Sequence, residues 1–94
     1  MRPLVQLPLT LPTVPAYTVA SWQRLRWHKD TRYYEAYLHQ DLWGRWLLTR
    51  TWGRRESNLG QTRHTPCRSQ QHGLELLQAT IKRREKRGYR LVKL

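Results

Sequence analysis

Much of the chain after residue 21 alternates apolar and polar residues with a period of two, the pattern of a β-strand with one buried face. The sequence predicts strands over residues 22–29, 33–39 and 45–53, a polar strand over 61–67 and a short last strand over 89–92. Turn-forming residues separate the first three strands, at Asp30 and in the loop 40–44. Pro66 has no N–H for a sheet hydrogen bond, so we expect it on an edge strand or at the end of a strand.

A helical period replaces this alternation near the end of the chain. Apolar residues recur there at intervals of three and four, at Leu74, Leu77 and Ile81. They predict one amphipathic helix over residues 70–87, with Ser69 as its N-cap and Gly88 as its left-handed terminator. One helix with one apolar stripe, together with four or five antiparallel strands, indicates an α+β fold with the helix packed on one face of the sheet.

The first 20 residues have a different composition, with four of the five prolines and a single charged residue. Proline fixes its own φ and pushes the preceding residue out of the α region, so we expect an extended arm before a domain over 21–94. Two other interpretations stay open. Arg2 precedes an apolar stretch as in a signal peptide, although the interspersed prolines argue against one. Residues 12–15 also have the Pro-x-x-Pro spacing of a short peptide ligand.

The charge balance indicates a polyanionic partner. Eighteen Lys and Arg residues oppose six Asp and Glu residues, giving a net charge of +12, and fourteen of the eighteen are Arg. Nucleic acid, an acidic protein and an anionic membrane surface all satisfy such a charge. The planar guanidinium group suits phosphate and stacks on rings, which favours nucleic acid. The sequence has no run of about 20 apolar residues, so we expect no membrane-spanning segment and no membrane partner.

The sequence contains no recognisable catalytic or metal-binding constellation. Its carboxylates are scattered, and no Gly-rich phosphate loop follows a strand. Cys67 lies near His64 and His72, but a structural zinc site needs a fourth ligand, and this spacing is not diagnostic of an activated thiol. We therefore expect a non-enzymatic protein without metal or cofactor. The single cysteine favours a reducing, cytoplasmic compartment.

The residues best suited to bind nucleic acid cluster at the end of the third strand. Side chains of an extended segment alternate, so Arg50, Trp52 and Arg54 point the same way and place an indole between two guanidinium groups. Stacking on a base contributes about 1–3 kcal/mol, and the cations neutralise phosphates. Gly53 has no Cβ and would let a ligand approach closely. The alternative is that Trp52 is mostly buried and positions the arginines. The tryptophans expected to pack are Trp22, Trp27, Trp43 and Trp46.

The segment 46–54 resembles the signature of WGR domains, in which a strand ends in Trp-Gly-Arg, here Trp52-Gly53-Arg54. The order of the surrounding features is similar as well. A Tyr-Tyr-x-x-x-Leu strand at 33–38 and a glycine-bearing hairpin loop precede the signature, whereas Gly60-Gln61, the helix and Gly88-Tyr89-Arg90 follow it. The resemblance covers residues 22–92.

This resemblance implies a DNA-binding module of mixed sheet and helix, found in DNA-dependent poly(ADP-ribose) polymerases and in short stand-alone bacterial proteins. It implies that Trp52 packs on a terminal sugar or base and that Arg54 meets phosphate or a neighbouring domain. Glu56 stands about where family members commonly have glycine, so the contacts of that loop are not carried over. The catalytic domains of the polymerases have no counterpart in this sequence, and their activity does not transfer.

We therefore expect a nucleic-acid-binding module for DNA with little sequence preference and, from the resemblance, a preference for ends, nicks or single strands. RNA stays open as a ligand, because phosphate contacts and stacking do not read the 2′-OH. The alternative is a protein-interaction module that docks an acidic partner. The oligomeric state is left open. The residues expected to contact nucleic acid are Arg50, Trp52, Gly53, Arg54, Arg55, Arg63, Lys82, Arg83, Lys86, Arg87 and Arg90.

Overall fold

The computed structural model describes residues 17–92 of the 94-residue chain. These residues form a five-stranded antiparallel sheet with one α-helix, which confirms the predicted α+β fold. The elements are β1 (Gln23–Lys29), β2 (Arg32–Gln40), β3 (Trp46–Arg54), β4 (Gln61–Pro66), α1 (Gln70–Lys86) and β5 (Arg90–Val92). Every predicted bound of a strand or helix agrees with these to within one residue.

The proline-rich segment and the two other interpretations of it lie outside the described residues, apart from the last few residues of the arm. Those residues form a 3₁₀ turn at Val19–Ser21, where we expected extended chain. The Tyr17 hydroxyl donates to a carbonyl of the β2–β3 loop at 2.6 Å. The Gln40 side-chain oxygen accepts from the Thr18 amide at 2.8 Å and from the Trp22 indole at 3.1 Å. The chain is therefore attached to the domain from residue 17 onward.

The strand order is β4-β3-β2-β1-β5, and all neighbouring strands are antiparallel. Helix α1 follows β4 at one edge and precedes β5 at the other, so it crosses one face of the sheet. A helix of 17 residues spans about 25 Å, and five strands span about 19 Å between their edges. The helix is therefore long enough to connect the two edges. We call the covered side of the sheet the inner face and the other side the outer face.

Both helix ends form as the sequence predicts. The Ser69 hydroxyl accepts from the His72 amide at 3.1 Å, and Gly88 has a φ of 85°, in the left-handed region. Pro66 is the last residue of edge strand β4, as expected. The sequence therefore determines where α1 begins and ends.

The core lies between α1 and the inner face. Its buried apolar side chains are Trp27, Ala36, Leu38, Leu48, Cys67 and Leu77. The buried stripe of the helix is Gly73, Leu77, Thr80 and Arg84. The predicted stripe packs on the core as expected, but only Leu77 is fully buried, whereas Leu74 and Ile81 are half-buried against it. The reason is Gly73, where the helix comes so close to β2 that a Cβ atom would lie 2.5 Å from Cδ1 of Leu38.

Replacement of Gly73 by alanine should therefore destabilise the protein, although alanine is the better helix former. Leu38 is fully buried, and its side chain would have to shift within the core, so we expect a loss of about 1–3 kcal/mol in the free energy of unfolding, typical of overpacking. Urea denaturation followed by circular dichroism measures it. The exposed helix residue Gln78 provides the control, because Gln78→Ala should change stability by less than about 0.5 kcal/mol. Equal stability of Gly73→Ala and the wild type would contradict this close approach.

Candidate functional site

The Trp52 indole belongs to an aromatic cluster on the inner face. Trp52 pairs with Tyr34 across β3 and β2, and their rings stack with centroids 5.8 Å apart and an angle of 14° between the planes. Tyr34 also makes edge contacts with Trp27 at 6.1 Å and Tyr89 at 6.3 Å. More than half of Trp52 is buried in these contacts. Of the two alternatives, the mostly buried tryptophan is the observed one.

Gly53 serves the packing of the chain itself. A Cβ atom on Gly53 would lie 3.2 Å from the Cα of Gly60 and 3.3 Å from the carbonyl oxygen of Leu59. The β3–β4 loop therefore fills the space on the Cβ side of Gly53. Gly53 also lines the cleft beside Trp52, so a ligand contact from it stays a prediction.

A cleft opens beside the partly exposed side of Trp52, and we call it the Trp52 cleft. It has a volume of about 410 Å³, and its lining includes Arg32, Arg54, Gln61 and Tyr89, with no carboxylate. Arg32 and Arg54 are exposed partners in the β2–β3 register. Two guanidinium groups are thus available at one end of this hairpin. Arg32 was missed in the sequence, although counting back from a symmetric hairpin loop pairs it with Arg54.

Helix α1 brings further arginines to the same indole. Arg83 and Arg87 line a second depression together with Trp52, Tyr34 and Tyr89. Both arginines are exposed. The helix and the sheet therefore both place cations beside the aromatic cluster.

Arg84 is buried beneath these residues and was also missed in the sequence. Only 9% of it is exposed, and its guanidinium carbon lies 4.0 Å from the Tyr34 ring centroid and 5.0 Å from that of Tyr89. A signal was present, because Arg84 follows Leu77 by seven residues and therefore lies on the same side of α1. The interior beneath α1 therefore contains a positively charged side chain.

Arg50 does not flank the indole as an open guanidinium group. It is half-buried, and its Nη2 donates to the Thr65 hydroxyl of β4 at 2.7 Å. The expectation that Trp52 stands between two displayed arginines is wrong, because Arg50 faces the underside of α1 rather than solvent. Arg63, its exposed partner in the β3–β4 register, extends the basic inner face toward the sheet edge.

The remaining predicted residues fall into two places. Lys82 and Lys86 are exposed and line a shallow surface of α1 together with Arg83 and Arg87. Arg55 and Arg90 lie around His28, away from the Trp52 cleft, and Arg90 pairs with His28 in the β1–β5 register. The structure therefore separates Arg55 and Arg90 from the other candidate residues.

The outer face carries its own polar network. The Tyr37 and His39 rings stack 4.3 Å apart, and the guanidinium carbon of Arg24 lies 4.3 Å from the Tyr37 centroid. The Thr49 hydroxyl joins His39 Nε2 at 2.8 Å to His64 Nδ1 at 2.9 Å. Burial lowers the pKa of His39. Desolvation, followed by the charges of the surrounding arginines, lowers the pKa of His28.

The candidate cations have no acidic partners in the described part of the chain. Within residues 17–92, the ion pairs are Arg26 with Glu35 and Arg45 with Asp41. None of the arginines at the Trp52 cleft or on α1 belongs to these pairs. No ion pair of the described residues therefore neutralises these arginines, although Glu85 lies among the cations of α1.

Trp43 and Cys67 have different environments. Trp43 is 71% exposed, so the prediction that it packs was wrong: it lies in the β2–β3 loop, beyond the reach of the core. Trp27 is buried, and Trp22 and Trp46 are half-buried, as expected.

Cys67 is buried, its thiol donates to the Thr65 carbonyl, and burial raises its pKa. Cys67 therefore contributes to the packing of the core.

The fold and the site define a small α+β domain with an aromatic cluster surrounded by unpaired arginines. The chain belongs to the WGR domain family, since the model of the WGR domain matches residues 21–93. The family is consistent with a nucleic-acid-binding module. Comparisons with curated proteins and with solved structures found no match. Within residues 17–92 there is no helix with the length and apolar character needed to cross a bilayer.

Because Trp52 packs in the aromatic cluster, its removal should reduce stability. We expect Trp52→Ala to lower the free energy of unfolding by about 3 kcal/mol, whereas Trp52→Phe keeps a ring on Tyr34 and should cost about 1 kcal/mol. Urea denaturation measures both. Trp43→Ala is the matched control and should cost less than about 0.5 kcal/mol, because Trp43 is mostly exposed. A Trp52→Ala variant as stable as Trp43→Ala would refute the packing role.

The two histidines with lowered pKa values predict a loss of stability in mild acid. The folded protein resists protonation of His28 and His39, so the unfolded chain binds more protons once the pH falls below the ordinary histidine pKa of about 6.5. Their contribution is complete above that value and decreases as the pH falls toward the folded pKa values. Urea unfolding at pH 7 and pH 5 should therefore show lower stability at pH 5. The double variant with His28→Gln and His39→Gln should show a smaller difference, and an unchanged wild-type stability would contradict the prediction.

Proposed function

We propose that this protein binds nucleic acid through the surface formed by the Trp52 cleft and the exposed arginines of α1. The observation that carries the proposal is a group of arginines without ion-pair partners around one aromatic cluster, contributed by two strands and by a helix far from them in sequence. Arg32 and Arg54 come from the sheet, and Arg83 and Arg87 come from the helix. A phosphate backbone that crosses the Trp52 cleft can therefore contact arginines of the sheet and arginines of the helix.

The physical basis is the neutralisation of phosphates. Each Arg contact releases counterions, so affinity falls with salt at a logarithmic slope of about −0.9 per neutralised phosphate of duplex DNA. Contacts from Arg32, Arg54, Arg83 and Arg87 correspond to a slope of about −3.6. Such contacts position the protein and do not read sequence, which supports DNA binding with little sequence preference.

Trp52 gives this surface a second kind of contact. Most of the indole is buried, but part of it borders the cleft between Arg54 and Tyr89. An aromatic edge there suits an unstacked base or a terminal sugar better than the interior of a duplex. The proposal therefore includes a preference for ends, nicks or single strands over intact duplex DNA, in agreement with the family resemblance.

We propose further that the protein acts by binding alone, without a catalytic step. Cys67, the strongest nucleophile type in the chain, is buried with a raised pKa and thus held as a thiol. A reducing, cytoplasmic compartment suits a thiol of this kind. Asp41 has a lowered pKa because of hydrogen bonds from the Arg45 and Trp43 amides and stays an ionised loop carboxylate.

The test removes exposed arginines of the cleft and leaves the aromatic cluster intact. A double variant with Arg54→Gln and Arg87→Gln should weaken DNA binding and reduce the salt slope by about 2, because each substitution removes one phosphate contact. Fluorescence anisotropy with a labelled duplex at several NaCl concentrations measures both quantities. The double variant with Arg45→Gln and Arg68→Gln removes the same charge outside the cleft and should change the slope by less than about 1.

The same assay distinguishes the alternatives. Competition by nicked duplex, single-stranded DNA and single-stranded RNA ranks the preferred form of the ligand. An affinity that does not depend on salt, or equal losses in the two double variants, would contradict the proposed surface. If no oligonucleotide binds while an acidic peptide does, the protein-interaction module is the correct alternative.

A further inference from the structure

A cavity of about 240 Å³ lies between α1 and the inner face, separate from the Trp52 cleft. Its lining includes Arg50 from β3 and Arg83 and Arg84 from α1, together with the Tyr34 ring. No carboxylate lines it. Three guanidinium groups therefore border one small space at the helix–sheet boundary.

Arg84 is the most unusual member of this group. It is more than nine-tenths buried, its Nε has no hydrogen-bond partner, and no carboxylate within residues 17–92 forms an ion pair with it. The Tyr34 and Tyr89 rings lie against its guanidinium group and attract it. Aromatic rings carry no net charge, however, and a buried cation without a counter-charge is costly.

Arg50 adds a second cation to the same cavity from the opposite side. Its Nε is also buried without a hydrogen-bond partner, and its contact with Thr65 is to a neutral hydroxyl. Two partly desolvated guanidinium groups on facing elements repel each other. Both features have a common explanation if an anion occupies the space between them.

We propose that this cavity binds a phosphate-class oxyanion. A tetrahedral oxyanion offers several acceptor oxygens in a small volume, and guanidinium groups bind such ions through parallel charge-assisted hydrogen bonds. One anion between Arg50 and Arg84 provides the missing counter-charge and joins α1 to β3. Binding should therefore stabilise the folded protein, because the unfolded chain has no such site.

This oxyanion has two sources, free inorganic phosphate and a phosphodiester of bound nucleic acid. The cavity adjoins the depression at Trp52, with which it shares Tyr34, Arg83 and Arg84. A strand held at Trp52 can therefore place one phosphate in the cavity. Only this second source rests on the proposed function.

The first experiment measures thermal unfolding in sodium phosphate and in sodium chloride at equal, low ionic strength. Phosphate should raise the Tm of the wild type by about 4 °C or more. Arg84→Met keeps an apolar side chain in place and removes the buried charge, so it should melt at or above the wild type in chloride and lose the response to phosphate. The exposed Arg68, outside the cavity, provides the control: Arg68→Met should respond like the wild type.

Arg50→Met is the second variant and should also lose the phosphate response, so the test does not depend on one substitution at the helix. Isothermal titration calorimetry with inorganic phosphate should detect one binding site per chain in the wild type and in Arg68→Met. It should give none in Arg84→Met. An equal phosphate shift in all four proteins would be a general salt effect and would overturn the proposal.

An oligonucleotide arm distinguishes the two sources. If a phosphodiester fills the cavity, Arg84→Met and Arg50→Met should weaken oligonucleotide binding at least threefold more than Arg68→Met, and inorganic phosphate should compete in the wild type. If free phosphate fills it, both ligands should bind together. The proposal fails if neither the phosphate response nor the oligonucleotide affinity distinguishes Arg84→Met from Arg68→Met. The proposed function alone fails if no oligonucleotide binds while the phosphate response is lost in Arg84→Met.

Discussion

The contact on which the rest of this structure depends is the close approach of α1 to the sheet at Gly73. Leu38 fills the place of the missing side chain, so the helix lies closer to β2 than a larger residue would permit. With Gly73 against the sheet, the helix is oriented about its own axis so that Leu77, Thr80 and Arg84 also lie on its buried side. Because α1 must also connect the two edges of the sheet, its direction is set as well. The C-terminal half of the helix then carries its arginines over Tyr34 and Trp52.

The aromatic cluster has a structural role beneath the proposed binding surface. Trp52 and Tyr34 stack on the inner face, and Arg84 lies against Tyr34. Among the accessible cations, Arg54 is the last residue of β3 and Arg87 is the C-cap residue of α1. A domain this small has a modest apolar core, and Trp52 belongs both to its packing and to the proposed binding surface. Binding studies are therefore better based on the exposed arginines than on Trp52.

An arginine-rich interior is unusual because charged groups lose their hydration on burial. The cost is reduced here by the rings around Arg84 and by the Thr65 hydroxyl on Arg50. Neither partner is an anion. The Trp52 cleft and the cavity beneath α1 therefore share one electrostatic property. Both are lined by arginines and by no carboxylate.

Periodicity and turn chemistry were sufficient to predict the strands, the helix with its Ser69 and Gly88 ends, and the edge position of Pro66, because these are local properties of the backbone. The signature around Trp52 likewise indicated the family. Only the tertiary structure decided which side of α1 is buried, that Gly53 faces Gly60, and that Arg50 turns inward while Arg32 joins Arg54. These outcomes depend on contacts between residues far apart in the chain, where packing at one glycine outweighs the pattern of apolar residues. A sequence pattern records local preference, whereas the exposure of each arginine is set by what the rest of the fold places above it.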